Sequence, residues 1–169
     1  MRRIILPLFL GVFFLTLQTT LLTSLSIQRF RPDIVLILIL YLSFSYPIAS
    51  GGILAFFLGY LMDLFSGNPF GLYTFTRPFI FYVARLFKER LYLEGVLSQF
   101  LLVFSLALAE GILILILLSG LNPKPIGPLY SKLATVLLPQ SFFTGLITPA
   151  LFLVFNKRLF PLFNRDAVG

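Results

Sequence analysis

Asp63, Arg77 and Glu110 are ionisable residues inside strongly apolar stretches of the chain, so their side chains are the first candidates for chemistry. Holding a lone charge deep in a membrane costs on the order of 3 kcal/mol or more, so such residues usually face protein or water and often have a function. A carboxylate or a guanidinium in that position can relay a proton, line an ion path, contact a partner or form an ion pair.

The spacing of Arg77 and Glu110 favours an ion pair. Counted inward from Pro69 and from Leu118 as predicted helix ends, each residue lies about 12 Å below the outer membrane boundary. Because neither charge is well tolerated alone at that depth, equal depth predicts a buried Arg77–Glu110 pair that links the fourth and fifth helices. Such a pair serves structure alone or belongs to a polar cavity, and both interpretations stay open.

Asp63 stands at the end of a helix that has one face of small side chains. At 100° per residue, an arc of roughly 80° holds four residues: Gly52, Ala55, Gly59 and Asp63. Small side chains allow membrane helices to approach closely. This face is therefore predicted to pack against an internal neighbour, or else to receive a partner helix or line a cavity.

The residues after Asp63 read as a tight turn between the third and fourth helices. Gly67 suits the end of a helix, Pro69 suits the start of the next one, and Gly71 follows at the same four-residue step. Asp63 is predicted to accept hydrogen bonds from the free backbone N–H groups at the start of the fourth helix. Direct contact with a partner and a proton relay are the alternatives for its carboxylate.

The composition excludes most enzyme chemistry. The chain has no cysteine and no histidine, which removes their nucleophiles, imidazole acid–base catalysis, disulfides and thiolate metal sites. The sequence contains no nucleotide-binding loop and no carboxylates at metal-ligand spacing. We therefore expect neither catalytic activity nor a cofactor or metal. The net charge of +7 comes from basic residues at helix ends, which indicates contact with membrane lipid and not nucleic acid.

The elements that must position these side chains are membrane helices. The chain has 169 residues, of which 59% are hydrophobic and 11% charged, and its mean hydropathy is +1.01. Repeated long apolar runs predict one all-α, polytopic integral membrane domain over residues 1–169. Six spans are predicted, over residues 4–25, 33–46, 48–65, 69–85, 93–118 and 129–155.

The basic residues favour both termini in the cytoplasm. With six spans, eight lysines and arginines share the cytoplasmic side and four lie outside, as the positive-inside rule requires. The second span is the weak point, because fourteen residues reach only about 21 Å. It is expected to extend into Pro47, to tilt little, to be buried among other helices, or to form a re-entrant pair with the third. The sixth contains Pro139 and Pro149 and is expected to be kinked or broken.

The segment Gly59-Tyr-Leu-Met-Asp63, followed by Gly67 and Gly71, resembles the MreD family of bacterial rod shape-determining proteins. The resemblance implies a non-enzymatic scaffold in the bacterial cytoplasmic (inner) membrane that supports lateral peptidoglycan synthesis. The partners it implies are an MreC-type single-span protein, RodA, the elongation-specific penicillin-binding transpeptidase and MreB. It also implies a fold similar to the six-helix substrate-binding subunits of energy-coupling-factor vitamin transporters.

Two other functions compete with the scaffold. A vitamin-binding transporter subunit typically carries a small-x-x-x-small face on its first helix, but here only Gly11 is small among residues 6–15. A small ion or proton channel would use Asp63, Arg77 and Glu110. The isolation of these charges argues against a continuous polar path.

Overall fold

The computed structural model describes residues 2–24, 32–66, 71–88, 95–121 and 133–158, and these residues form helices without strands. A five-residue π-helical turn, Leu133–Leu137, leads into the last helix. The six α-helices are α1 (Arg2–Ser24), α2 (Ile34–Ser45), α3 (Ile48–Ser66), α4 (Leu72–Lys88), α5 (Val96–Leu121) and α6 (Leu138–Arg158). The predicted all-α class is thus confirmed for this part of the chain.

Three helical segments are long and apolar enough to cross a membrane by length and composition, which fits a membrane protein. They are Ile48–Ser66, Val96–Gly120 and Thr135–Lys157. Two further apolar helical segments, Pro7–Gln18 and Ile34–Ser45, are shorter. Within the described residues, the number of crossings supported in this way is therefore three, and six spans stay a prediction.

The shortest helix, α2, is the core of the molecule. Its 12 residues correspond to about 18 Å of helix. Residues 35–43 are all buried, and α2 touches each of the other five helices. A helix that is apolar all round must be enclosed by its neighbours. Burial among other helices, one of the outcomes expected for the second span, is the one that the structure shows.

The contacts between helices fix the relative direction of two pairs. Arg77 contacts Asp33 at the start of α2, and Arg85 contacts Ser43 near its end, so α2 and α4 run parallel. The α5 and α6 helices run antiparallel, since Gly111 faces Leu137 while Gly145 faces Phe100.

The predicted sixth span is irregular just before its first proline. The irregular turn, Leu133–Leu137, precedes Pro139, which has no N–H to donate back into that turn. Beyond it the α-helix is continuous over Leu138–Arg158 and runs through Pro149. The α-helical geometry is thus lost at the start of α6 and not at its second proline.

The ends of two other helices differ from the prediction. Helix α4 covers Leu72–Lys88 and α5 covers Val96–Leu121, so each lies three residues later than predicted. For α4 the cause is visible, because the Asp63 carboxylate binds N–H groups from Gly71 onward and so fixes where the helix begins.

Candidate functional site

Arg77 of α4 lies between two carboxylates in the interior. Its Nη1 donates to Glu110 Oε2 of α5 at 3.0 Å, and its Nη2 pairs with Asp33 Oδ2 at the start of α2. The exposed fractions are 0% for Arg77, 3% for Glu110 and 8% for Asp33. Arg77 and Glu110, which the sequence predicted to pair, therefore belong to a cluster of three charges.

Asp33 is the member that sequence reasoning missed, because it was taken as the first residue of an ordinary span. Its Oδ1 accepts from the Leu36 N–H at 2.9 Å and so caps α2, while its own N–H donates to Thr144 Oγ1 of α6 at 3.1 Å. The pattern that could have found it is Pro32-Asp33 directly before a long apolar run, which is typical of a helix N-cap.

The cluster has two carboxyl groups around one guanidinium. Arg77 uses both terminal nitrogens in ion pairs, and its guanidinium carbon lies 5.4 Å from the ring centroid of Tyr73, within cation–π range. Two buried atoms of the cluster have no hydrogen-bond partner, Arg77 Nε and Glu110 Oε1. Glu110 is therefore only half satisfied by the protein.

A cavity of about 110 Å³ lies beside the cluster, between α2, α4, α5 and α6. Its lining combines apolar side chains with carboxylate, phenol, amide and hydroxyl groups. The polar lining residues are Asp33, Tyr73, Glu110, Gln140, Ser141 and Thr144. The charge cluster thus adjoins a space, and of the two interpretations of the pair, a polar cavity is the one that this geometry favours.

Asp63 is buried and is saturated by the start of α4. Its Oδ1 accepts from the Tyr73 N–H at 2.8 Å. Its Oδ2 accepts from the N–H groups of Gly71 and Thr74 at 3.1 and 2.8 Å, and from Thr74 Oγ1 at 2.6 Å. These are the free N–H groups that the sequence analysis expected it to bind. With four donors around it, the carboxylate has little capacity left for a partner or a proton relay.

The turn motif is only partly visible. Gly67 and Pro69 lie outside the described residues. Gly71 has φ +99°, in the left-handed region that a glycine adopts without a steric penalty. At this position a glycine lets the chain reverse and present its N–H to Asp63.

The small face of α3 is occupied by α4. A Cβ at Gly59 would lie 2.8 Å from the carbonyl carbon of Tyr73 and 3.1 Å from Cα of Thr74. Gly52 faces the Tyr82 hydroxyl in the same way, and Ala55 is 1% exposed. The structure thus gives this face an internal neighbour, so a partner helix could reach it only if α4 moved away.

Arg85 is a further polar anchor, and the sequence analysis did not single it out. Its Nη1 donates to the backbone oxygens of Ser43 and Tyr46 at 2.6 and 2.9 Å. These carbonyls end α2, where a cation is favoured by the helix dipole. Arg77 and Arg85 of α4 therefore hold the two ends of α2.

Among the described residues, no group of three or more acidic, histidine or cysteine side chains is placed to hold a metal ion. What the arrangement offers chemically is a buried group of two carboxyls and one guanidinium beside a small polar space. Helices α3 and α4, joined by the hydrogen bonds of Asp63, form a hairpin (the Asp63 hairpin). It offers rigidity instead, because its polar groups are already paired with each other.

Comparison with known proteins gives one family. The model of the rod shape-determining protein MreD matches residues 1–159 of the 169. No curated protein and no solved structure gave a significant match, so the likeness to energy-coupling-factor subunits stays a prediction. The family match extends over nearly the whole chain, from α1 to the end of α6, and includes both the Asp63 hairpin and the charge cluster. The chain therefore belongs to the MreD family of rod shape-determining proteins.

Proposed function

We propose that the protein is a non-enzymatic integral membrane scaffold of the cell-elongation machinery. In this role it supports lateral peptidoglycan synthesis in the bacterial cytoplasmic membrane through contacts with an MreC-type single-span protein, RodA and the elongation-specific penicillin-binding transpeptidase. MreB is a further candidate partner. The observation that carries the proposal is the family match over residues 1–159.

The structure supports a binding role for the outer helix faces. The Asp63 carboxylate and the small face of α3 are used up inside the fold, so partner helices must bind elsewhere. The opposite face of α3 presents large apolar side chains outward, including Phe56, Phe57 and Tyr60, each close to half exposed. Helix-to-helix contact within the membrane is the mode that suits a single-span partner.

We also propose that all six helices cross the membrane, with both termini in the cytoplasm. The parallel packing of α2 and α4, the antiparallel packing of α5 and α6, and the distribution of basic residues support this topology. The cysteine-free sequence allows a direct test with single introduced cysteines. Gly95 and Gly120 lie at opposite ends of α5 and are exposed. Gly95→Cys should react only from the cytoplasm and Gly120→Cys only from outside; labelling of both from one side would refute the topology.

The scaffold itself is tested by identifying what co-purifies. Gentle solubilisation from the native membrane, followed by mass spectrometry, should recover an MreC-type protein or a wall synthase. A tagged membrane protein of similar size and abundance from the same cells is the control. Recovery of ATPase subunits with a coupling protein would instead favour vitamin uptake, for which no observation on this chain speaks at present.

The cellular prediction is loss of rod shape. Cells depleted of the protein should round up, and the wild-type chain should restore their cylinders. A Phe57→Ala chain that accumulates normally but fails to restore shape or to retain the MreC-type partner would locate the contact on the outer face of α3. Normal rods after complete depletion would contradict the proposed role.

A further inference from the structure

The buried cluster of Arg77, Asp33 and Glu110 has a charge count that hydrogen bonds alone cannot balance. Two carboxyl groups share one guanidinium, and all three residues are buried. With both acids ionised, one positive and two negative charges would leave one negative charge uncompensated in the interior. A buried charge without a counter-charge is expensive, and two carboxyl groups that share a site rarely ionise together.

The surrounding helices do not supply the missing positive charge. Thr76 Oγ1 and Arg77 Nε are unpaired donors, but a hydroxyl is neutral and the guanidinium is already counted. Helices α2 and α5 contain no lysine or arginine. The other described basic side chains of α4 and α6 lie far along their helices. Arg85 is about 12 Å beyond Arg77, and Lys157 is about 20 Å beyond Thr144. A proton on one of the two acids remains as the way to neutralise the cluster.

We propose that Glu110 holds a proton in the folded protein and that the neutral cluster keeps α5 joined to α2 and α4. The geometry selects Glu110 over Asp33. Both oxygens of Asp33 already accept, Oδ2 from Arg77 and Oδ1 from the Leu36 N–H at the start of α2, where the helix dipole favours a negative charge. Glu110 accepts from Arg77 through Oε2, which leaves Oε1 to carry the proton. This inference does not depend on the proposed scaffold function.

The proton makes the attachment of α5 sensitive to pH. Helix α5 packs mainly against α6 and has fewer contacts with α2 and α4, to which the Arg77–Glu110 pair joins it. Loss of the proton would place a second negative charge beside the guanidinium that already serves Asp33. The groups that face Glu110 are Asp33 of α2, Arg77 and Tyr73 of α4, and the uncharged Gln140, Ser141 and Thr144 of α6.

Infrared spectroscopy of the purified full chain tests for the proton directly, because a protonated carboxylic acid has a C=O stretch distinct from the carboxylate and amide bands. The detergent must be free of esters, whose carbonyls absorb in the same region. The sequence has six acidic residues, so the band can be assigned by substitution. At neutral pH the wild type should show an acid band that Glu110→Gln lacks. A wild type without this band, or a band that persists in Glu110→Gln, would overturn the proposal.

Asp33→Asn separates the charge count from burial and gives a second test if Glu110→Gln accumulates poorly. Asparagine keeps an oxygen that can cap α2 but removes one negative charge. Arg77 can then neutralise an ionised Glu110, so the acid band should disappear. Asp63→Asn is the matched control, because Asp63 is a buried acid outside the cluster, and it should leave the band unchanged. A band that survives in Asp33→Asn would refute the role of the shared guanidinium.

The stability of the wild type should fall as pH rises. An unfolded chain releases a glutamate proton near pH 4.3, at about the ordinary value. Above that pH the folded state binds one more proton than the unfolded state, so raising the pH favours unfolding. Until the folded state also releases the proton, the unfolding constant of the wild type relative to that of Glu110→Gln should rise about tenfold per pH unit. Thermal unfolding of both proteins across a pH series measures this ratio. A ratio that stays constant with pH would contradict the proposal.

Discussion

Asp63 and Glu110 are both buried carboxylates that receive groups from α4, yet the protein treats them in opposite ways. Asp63 accepts four hydrogen bonds from three residues, and three of these bonds come from backbone N–H groups. Glu110 receives one hydrogen bond from Arg77 and keeps one oxygen without a partner. The first carboxylate is fully satisfied by local structure, whereas the second is satisfied only in part and by a distant side chain.

The difference separates buried polar groups that are fully hydrogen-bonded within the fold from those that keep an unpaired atom. Backbone donors at a helix start are fixed by the helix itself, so the Asp63 hairpin is rigid and needs nothing from outside. In the cluster of side chains, by contrast, the acceptor Glu110 Oε1 and the donors Arg77 Nε and Thr76 Oγ1 are all left unpaired.

The largest effect is expected from removing Arg77. Arg77→Met leaves Asp33 and Glu110 buried without their shared cation, which should destabilise the fold by about 3–5 kcal/mol. The measurement is accumulation in the membrane and thermal unfolding after purification.

In a double-mutant cycle, Arg77→Ala with Glu110→Ala should recover part of the loss, because the second change removes an unpaired charge. Strict additivity of the two single effects would show that the pair is not coupled.

Gly59→Leu should have the next largest effect, now in the hairpin. The new side chain would meet the backbone of Tyr73 and Thr74, which cannot move without displacing α4. The free energy of unfolding should therefore fall by roughly 1–3 kcal/mol or more. Gly120→Leu is the matched control, since a Cβ there meets nothing within 4 Å. If thermal unfolding shows that Gly59→Leu is as stable as the wild type, but the variant no longer retains its partners, the small face is a docking surface after all.

Asp63→Asn tests the saturated carboxylate directly. The amide keeps one oxygen but places an NH₂ group against N–H donors. The free energy of unfolding should therefore fall by about 1–2 kcal/mol. Thermal unfolding of Asp63→Asn and of Thr74→Ala, which removes only the side-chain donor, would rank the backbone and hydroxyl contributions. A loss in Asp63→Asn no larger than in Thr74→Ala would contradict the expected cost of placing an NH₂ group against the backbone N–H donors.

The smallest effect is expected from the corresponding change at Glu110. Glu110→Gln keeps the size of the side chain and leaves a neutral Asp33–Arg77 pair, so the stability should stay within about 1 kcal/mol of the wild type. The comparison with Asp63→Asn is made under identical detergent and salt conditions. A larger loss at Glu110 than at Asp63 would reverse the contrast between the two regions.

Much of this arrangement was predictable from sequence because charges in apolar helices restrict one another. Arg77 and Glu110 are expected to meet since neither can remain alone, although the helix ends used for the depth count were each three residues off. The Asp63 cap followed from the free N–H groups of the next helix. The Pro32-Asp33 pattern could have indicated a helix cap, but nothing local shows that α2 begins among other helices, so the contact of Asp33 with Arg77 could not be predicted. The cavity depends on how four helices pack, which no single segment specifies.

The hold of α4 on both ends of α2 has a consequence for biogenesis. A ribosome makes α2 well before α4, so when α2 first leaves the translocon, neither Arg77 nor Arg85 exists to pair with Asp33 or with the carbonyls of Ser43 and Tyr46. A 12-residue helix is also too short to settle across a bilayer alone. We therefore expect nascent α2 to wait at the translocon or the membrane surface until α4 has been made, and Thr144 of α6, which accepts from the Asp33 N–H, is made later still.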